Sequence, residues 1–352
     1  MFEKSSWIRL PRNVVLGSGV LDDVDEVVAD VHLSGRPLVV TSPTPKAVAG
    51  ARVRDALADA EMDPALAVVD EASFESVQQV IAEAEAVNAG YLVGVGGGKA
   101  IDIAKMASDE LGVGFVSVPT AASHDGIVSG RGSVPEGDTR HSVAAAPPIV
   151  VVADTGVIAD APWELTTAGC ADIISNYTAV KDWRLANRLK NVEYSEYAAA
   201  LSEMTAELLV ERADSIRPGL EESAWVVVKA LVSSGVAMSI ADSSRPASGA
   251  EHLFSHQLDR IAPGKALHGH QVGVGAVLTE YLHSGERGDW QAVRDALDSI
   301  DAPTTADDLG VDDEEVIEAL TTAHRIRDRY TILGDGISED AALEAAVTTG
   351  VI

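Results

Sequence analysis

The chain has 352 residues, 46% of them hydrophobic but only 4% aromatic, so it can fill more than one core and must do so with Ala, Val, Ile and Leu. Its 55 Asp and Glu against 26 Lys and Arg leave a formal net charge of −29. A surface of that sign argues against nucleic acid and anionic lipid as partners, and any phosphate site needs its own basic groups.

The N-terminal part alternates short β-rich runs with helical stretches. Strands are expected over 14–16, 37–41, 66–69, 91–95 and 114–118, with helices over 21–31, 47–60, 74–87 and 99–110 between them. Strands alternating with helices of this length argue βαβ units and a parallel sheet, whose ligands sit at the carboxyl ends of the strands. Residues 126–148 are glycine-rich and polar and read as a hairpin or irregular excursion. A strand over 149–153 returns to the sheet, and 154–161 reads as a linker. From there the pattern is helical: 163–168 leading to 170–189, then 197–215, 225–241, 251–261, 271–284, 290–297, 313–327 and 339–347. The 225–241 stretch is apolar nearly all round and is expected to be a buried central helix. The fold class is thus α/β plus all-α, with a sheet domain over 1–158 and a helical domain over 159–352.

Other features bound the setting. Cys170 is the single cysteine, so no internal disulfide forms and a cytoplasmic protein is expected. The start, M-F-E-K-S-S-W-I-R-L-P-R, lacks the apolar core of a signal peptide, and no uninterrupted apolar run is long enough to span a bilayer. Acid excess with few lysines fits adaptation to high salt, where screening removes most self-repulsion.

Four stretches offer chemistry. G-V-G-G-G-K-A-I-D (94–102) puts glycines after a strand and before a helix N-terminus, which suits an approaching phosphate. It fails the Walker A pattern, since Ala100 follows the lysine, and it fails G-x-G-x-x-G, since Lys99 takes the third glycine position. Asp102 in the first turn is placed to orient the loop. P-T-A-A-S-H-D-G-I-V-S (119–129) offers Thr120, Ser123, His124, Asp125 and Ser129 after a strand, for a cofactor or for local caps. G-C-A-D-I-I-S-N (169–176) sets Asp172 in an apolar helical stretch, where a carboxylate needs an arginine or a metal. Cys170 there reads as a small core residue. Finally, 244–273 holds His252, His256, His268 and His270, four of nine histidines. His252 and His256 share one helix face, and two histidines from neighbouring elements plus a carboxylate would make a divalent-metal site.

In this order and spacing, G-G-G-K-A-I-D, P-T-A-A-S-H-D, G-C-A-D-I-I-S-N, S-G-A-E-H-L-F-S-H and H-G-H-Q-V-G resemble the sn-glycerol-1-phosphate dehydrogenases of archaea. That family is a branch of the group that includes glycerol dehydrogenase, the iron-containing alcohol dehydrogenases and dehydroquinate synthase. The resemblance covers nearly the whole chain, and with the acidity it points to a halophile. It implies a Rossmann-like N-terminal domain and a helical C-terminal domain with the site between them. It implies Zn²⁺ on Asp172, His252 and His268, and substrate contacts from Asp125, Asp172 and His256. Cofactor contacts would come from Gly97, Gly98, Lys99, Ala100, Ile101, Asp102, Thr120, Ala121, Ala122, Ser123 and Ser129. His270 falls at a variable position and is not expected to ligate. The implied reaction reduces dihydroxyacetone phosphate to sn-glycerol 1-phosphate with NADH or NADPH, for ether-lipid synthesis, in a homo-oligomer. Rival readings are a glycerol or alcohol dehydrogenase acting on an unphosphorylated substrate, a dehydroquinate-synthase-type lyase, and a binding protein of the same fold. Arg245 and Lys265, which flank the histidines, are the candidates for the substrate phosphate. The strand over 37–41 ends in Thr-Ser-Pro-Thr, with neither an acidic ribose clamp nor an arginine to choose between the two nucleotides.

Overall fold

The computed structural model describes residues 7–136 and 139–352. Residues 1–6, on which part of the signal-peptide argument rests, and Gly137 and Asp138 of the glycine-rich stretch lie outside the described residues.

Six strands form one parallel sheet: β1 (Asn13–Gly17), β2 (Arg36–Thr41), β3 (Ala65–Val68), β4 (Ala89–Gly96), β5 (Gly114–Pro119) and β8 (Val150–Asp154), in the order β1-β8-β5-β4-β2-β3. A separate antiparallel pair, β6 (Arg131–Glu136) and β7 (Thr139–Ala144), is the excursion expected between 126 and 148. The strands are near-continuous apolar runs because both faces of the sheet are covered. Side-chain alternation splits each strand between two cores. Val93, Val95, Val116, Val118, Val150 and Val152 pack with Leu21, Val28, Val53 and Leu57 on one face. Leu92, Phe115, Val151 and Ala153 pack on the other, in a core continuous with the helical half.

Chain order reverses between β2 and β4, since β2 leads outward to β3 whereas β4 leads through β5 toward β8. Open parallel sheets bind ligands in the crevice at the carboxyl ends beside such a reversal. Here that crevice is the end of β4, with Gly96 against Pro45 and its carbonyl accepting from the Thr120 amide at 3.0 Å.

The expected linker takes a different form. Asp154 ends β8, and its carboxylate caps the short helix Thr155–Ala159 by accepting from the amides of Gly156 (3.1 Å) and Val157 (3.3 Å). The helical half then begins with Trp163–Ile174, broken at Ser175 from Asn176–Lys190, and continues through Glu196–Arg212, Glu221–Ala241, Ala250–Ile261 and His268–Ser284. The last of these starts three residues earlier than the pattern predicted, which puts His268 in a first turn.

Glu221–Ala241, interrupted by Lys229 and serines, is long and apolar enough to cross a bilayer by length and composition alone. Half of its most apolar window is buried in the protein. Ser234, in its second half, is fully buried and donates to Asp125 at 2.8 Å, so the helix forms a wall of the site. Trp225, near its start, is exposed, so the helix is less enclosed than its composition predicts.

Candidate active site

A cavity of about 360 Å³ lies where the ends of β4 and β5 meet the helical half. On the sheet side, helix Gly98–Leu111 starts directly after β4, with Gly97 at its N-cap in extended backbone and no side chain capping it. Its first amides are therefore left for a ligand. A Cβ on Gly97 would meet nothing within 4 Å, which leaves the approach open. Gly98, Lys99, Ser123 and Ser129 line the cavity. Ala100, Ile101, Thr120, Ala121 and Ala122, also expected to contact the cofactor, are buried and do not line it. Ser129 Oγ is buried and has no hydrogen-bond partner among the described residues, an orphan of the kind a bound nucleotide satisfies.

Asp102 lines the cavity and also holds the loop in place. One carboxylate oxygen accepts from Lys105 Nζ at 3.1 Å, and the other accepts from the Ser133 amide at 3.0 Å. Lys105 is fully buried and also donates to the carbonyls of Gly126 and Arg131, each at 2.6 Å. It thereby ties the glycine-led helix to the segment that carries Asp125 and Ser129. Lys99 donates to the Asp70 carbonyl at 2.5 Å.

On the helical side, Asp172 comes from Trp163–Ile174, His252 and His256 from Ala250–Ile261, and His268 from the start of His268–Ser284. One ligand atom from each of Asp172, His252 and His268 lies within 4.8 Å of the others. Two glycines make this convergence sterically feasible. A Cβ on Gly169 would stand 1.9 Å from the Ala122 carbonyl oxygen, and one on Gly269 would stand 2.0 Å from the Ala168 carbonyl oxygen. Only the missing side chains let the two helices and the 120–125 loop pack this closely.

The residues behind the trio fit a divalent cation. His252 Nδ1 is bonded to the buried Glu251 carboxylate at 3.0 Å, which turns Nε2 toward Asp172 Oδ1, 3.5 Å away. Ser255 donates its one proton to Gln271 Oε1 at 2.7 Å, so it accepts from His268 Nδ1 at 2.8 Å and leaves Nε2 of that ring as a lone-pair donor. Partners of this kind fix the tautomer and aim of metal-binding histidines.

The electrostatics agree. Burial alone would lower the His252 pKa, but its bonds to Asp172 and Glu251 outweigh burial and raise it to about 9. Burial, then the neighbouring Asp172 charge, raises Asp125 to about 7 against the opposing bond from Ser234. Carboxylates gathered around one imidazole demand positive charge at that point, which a divalent ion supplies as well as a proton does.

His270 lies outside the trio, as expected. Its Nε2 meets Thr167 Oγ1 at 2.9 Å, and burial lowers its pKa to about 4. Cys170 is fully buried, with its thiol pushed up to about 12 by burial, consistent with a core role. Neither flanking cation expected for phosphate lines the cavity: Lys265 is exposed and Arg245 is half-buried off it, whereas Arg131 and Arg327 line it. The sequence pattern passed over these two arginines, and also Lys105, Ser234 and Glu251. Only Glu251 carried a local signal, an acid directly beside a candidate ligand.

A glycine-started helix at a sheet reversal, facing one aspartate and two histidines, is the arrangement of a dehydrogenase that pairs a nicotinamide nucleotide with a divalent metal. Comparison with known proteins agrees. The profile of the iron-containing alcohol dehydrogenase family matches residues 15–162. Glycerol-1-phosphate dehydrogenase [NAD(P)+] from Halobacterium salinarum is 79% identical over 352 residues, covering 100% of both chains. The protein of that name from Methanococcoides burtonii is 55% identical over 350 residues, 99% of this chain and 97% of that one. The solved structure of glycerol dehydrogenase from Schizosaccharomyces pombe superposes with a TM-score of 0.78 at 19% identity, over 99% of this chain and 92% of that one. The chain belongs to the glycerol-1-phosphate dehydrogenase family.

Proposed function

We propose that the protein reduces dihydroxyacetone phosphate to sn-glycerol 1-phosphate with NADH or NADPH, supplying the glycerol unit of ether lipids. The single observation that carries this reading is the convergence of Asp172, His252 and His268 within 4.8 Å, across one cavity from the glycine-led helix. Two imidazoles and one carboxylate, with a position left open, suit Zn²⁺. When bound, the ion polarises the substrate ketone and the nicotinamide supplies the hydride.

The chain's own residues do the rest. The Gly97–Gly98 backbone and the amides of the following turn receive the nucleotide phosphates, and Ser123 and Ser129 offer hydroxyls beside them. Asp125 accepts from Ser234 through Oδ2, leaving Oδ1 for a substrate hydroxyl. His256 stands one turn from His252, ring centroids 6.5 Å apart, close enough to hold a substrate oxygen or pass a proton to the product alkoxide. Nucleotide from the sheet side and metal ligands from the helical side present the ketone with one face to the hydride, which sets the enantiomer.

The division into a cofactor domain over 1–158 and a metal and substrate domain over 159–352 goes with this reading. So do a cytoplasmic setting without membrane insertion and a homo-oligomer, the last supported by the exposed Tyr197, Met204, Leu208 and Trp225 on neighbouring helices and testable by sedimentation in molar KCl. The decisive experiment follows NADH and NADPH oxidation with dihydroxyacetone phosphate in molar KCl, with a chiral assay of the product and a chelated control. Net oxidation lost on chelation and restored by Zn²⁺ is expected. Full activity after exhaustive chelation would refute the metal, and turnover without net nucleotide consumption would favour a lyase.

A further inference from the structure

We propose that Arg327 and Arg131, with the Ser244–Ser248 turn, form the seat of the substrate phosphate, and that Arg329 is the positioning residue behind it. The proposal rests on the dihydroxyacetone phosphate reading and names the group that separates this substrate from an unphosphorylated triose.

In a chain of net charge −29, four arginines gather beside this one cavity. Arg131 and Arg327 line it, together with Ser244, Ser248, His252 and His256. Arg327 donates from Nη2 to Ser248 Oγ at 3.0 Å, while its Nε is buried with no hydrogen-bond partner among the described residues. Arg329 does not reach the cavity. It donates to Ser244 Oγ at 2.7 Å and to the Ser248 carbonyl, and so clamps the turn from behind. Arg245, on that turn, adds a fourth charge. Burial lowers the pKa of both Arg327 and Arg329, repulsion from Arg131 and Arg245 adds to it, and Glu251, which opposes this at both, is already engaged with His252. An arginine keeps its proton in proteins, so the repulsion is an unmet demand for an anion. A phosphate monoester answers it, because its oxygens match the guanidinium fork and two serine hydroxyls stand beside them. His252, Asp172 and His268 line the same cavity, so the phosphate seat and the metal trio face one space. The 2′-phosphate of NADP belongs instead near the end of β2, where Thr41 and Ser42 lie off this cavity.

The test compares wild type with Arg327→Gln and Arg131→Gln, each checked for folding by its thermal melt in molar KCl. Removing a charged hydrogen-bond partner from phosphate should raise KM for dihydroxyacetone phosphate by about 10- to 150-fold. It should also shrink the kcat/KM preference over dihydroxyacetone by a similar factor. Inorganic phosphate should compete with dihydroxyacetone phosphate and raise the Tm of wild type, and both effects should be lost in Arg327→Gln. If that variant does not fold, Arg131→Gln and phosphate competition in wild type decide the matter. The proposal is overturned if KM for dihydroxyacetone phosphate is unchanged in a folded variant, if the loss appears in KM for NADPH, or if inorganic phosphate neither competes nor stabilises. If wild type fails to turn over dihydroxyacetone phosphate, the reaction falls, while a phosphate-dependent Tm shift that needs Arg327 still establishes the anion seat.

Discussion

Gly169→Ala tests how the site is assembled. The substitution adds one methyl group, and that Cβ would lie 1.9 Å from the Ala122 carbonyl oxygen, where real contacts are essentially never under 3.0 Å. The neighbour is backbone in the cofactor-side loop, so no rotamer change relieves the clash. Helix Trp163–Ile174 and the 120–125 loop must separate by about 1 Å, and Asp172 lies less than one turn further along that helix. The bond from the Asp125 amide to Asp172 Oδ2, already 3.2 Å, would stretch past useful length. Overpacking of this kind costs about 1–3 kcal/mol of stability, and a displacement of about 1 Å at a reacting centre costs on the order of 10²-fold in rate. Thermal melts in molar KCl would read the first quantity and steady-state NADH oxidation the second, with bound metal counted by elemental analysis. A folded variant with wild-type Tm and turnover would refute the claim that this glycine sets the separation.

Two further outcomes follow from other contacts. Glu251→Gln keeps the size of the group that holds His252 Nδ1 but removes its charge, so metal affinity should fall by roughly 10- to 100-fold, read by competition with a chromophoric chelator; an unchanged Kd would deny Glu251 its role. His270 has a folded pKa of about 4 against the usual 6.5, so the unfolded chain binds its proton first as pH falls. Its share of stability is complete above pH 6.5 and is lost as pH drops toward 4, by at most about 3 kcal/mol since the ring is not fully enclosed. His270→Gln should flatten that slope in melts between pH 4 and 7, and an unaltered slope would place the acid sensitivity elsewhere.

Much of the architecture was legible in local pattern. The apolar runs at 37–41, 91–95 and 114–118 announced strands buried on both faces, and a glycine run after a strand announced an open helix start. Boundaries were less legible where a side chain decides them. Asp154 turned an expected linker into a capped helix, and the helix expected from 271 starts at His268. The phosphate candidates show a different failure. Arg245 and Lys265 flank the histidines in sequence, yet Arg131 and Arg327 line the cavity, and 196 positions separate those two.

The sequence by itself determined the elements, the glycine loop and the residue types able to ligate a metal, because these follow from backbone preference and side-chain chemistry at short range. Tertiary structure decided which of them meet. Asp172 and His268 come together only because Gly169 and Gly269 let two helices and a loop pack at backbone distance. Glu251, Lys105 and the arginines gained their roles from burial, since a charge enclosed in protein must find a partner, and which partner is a matter of three-dimensional neighbours.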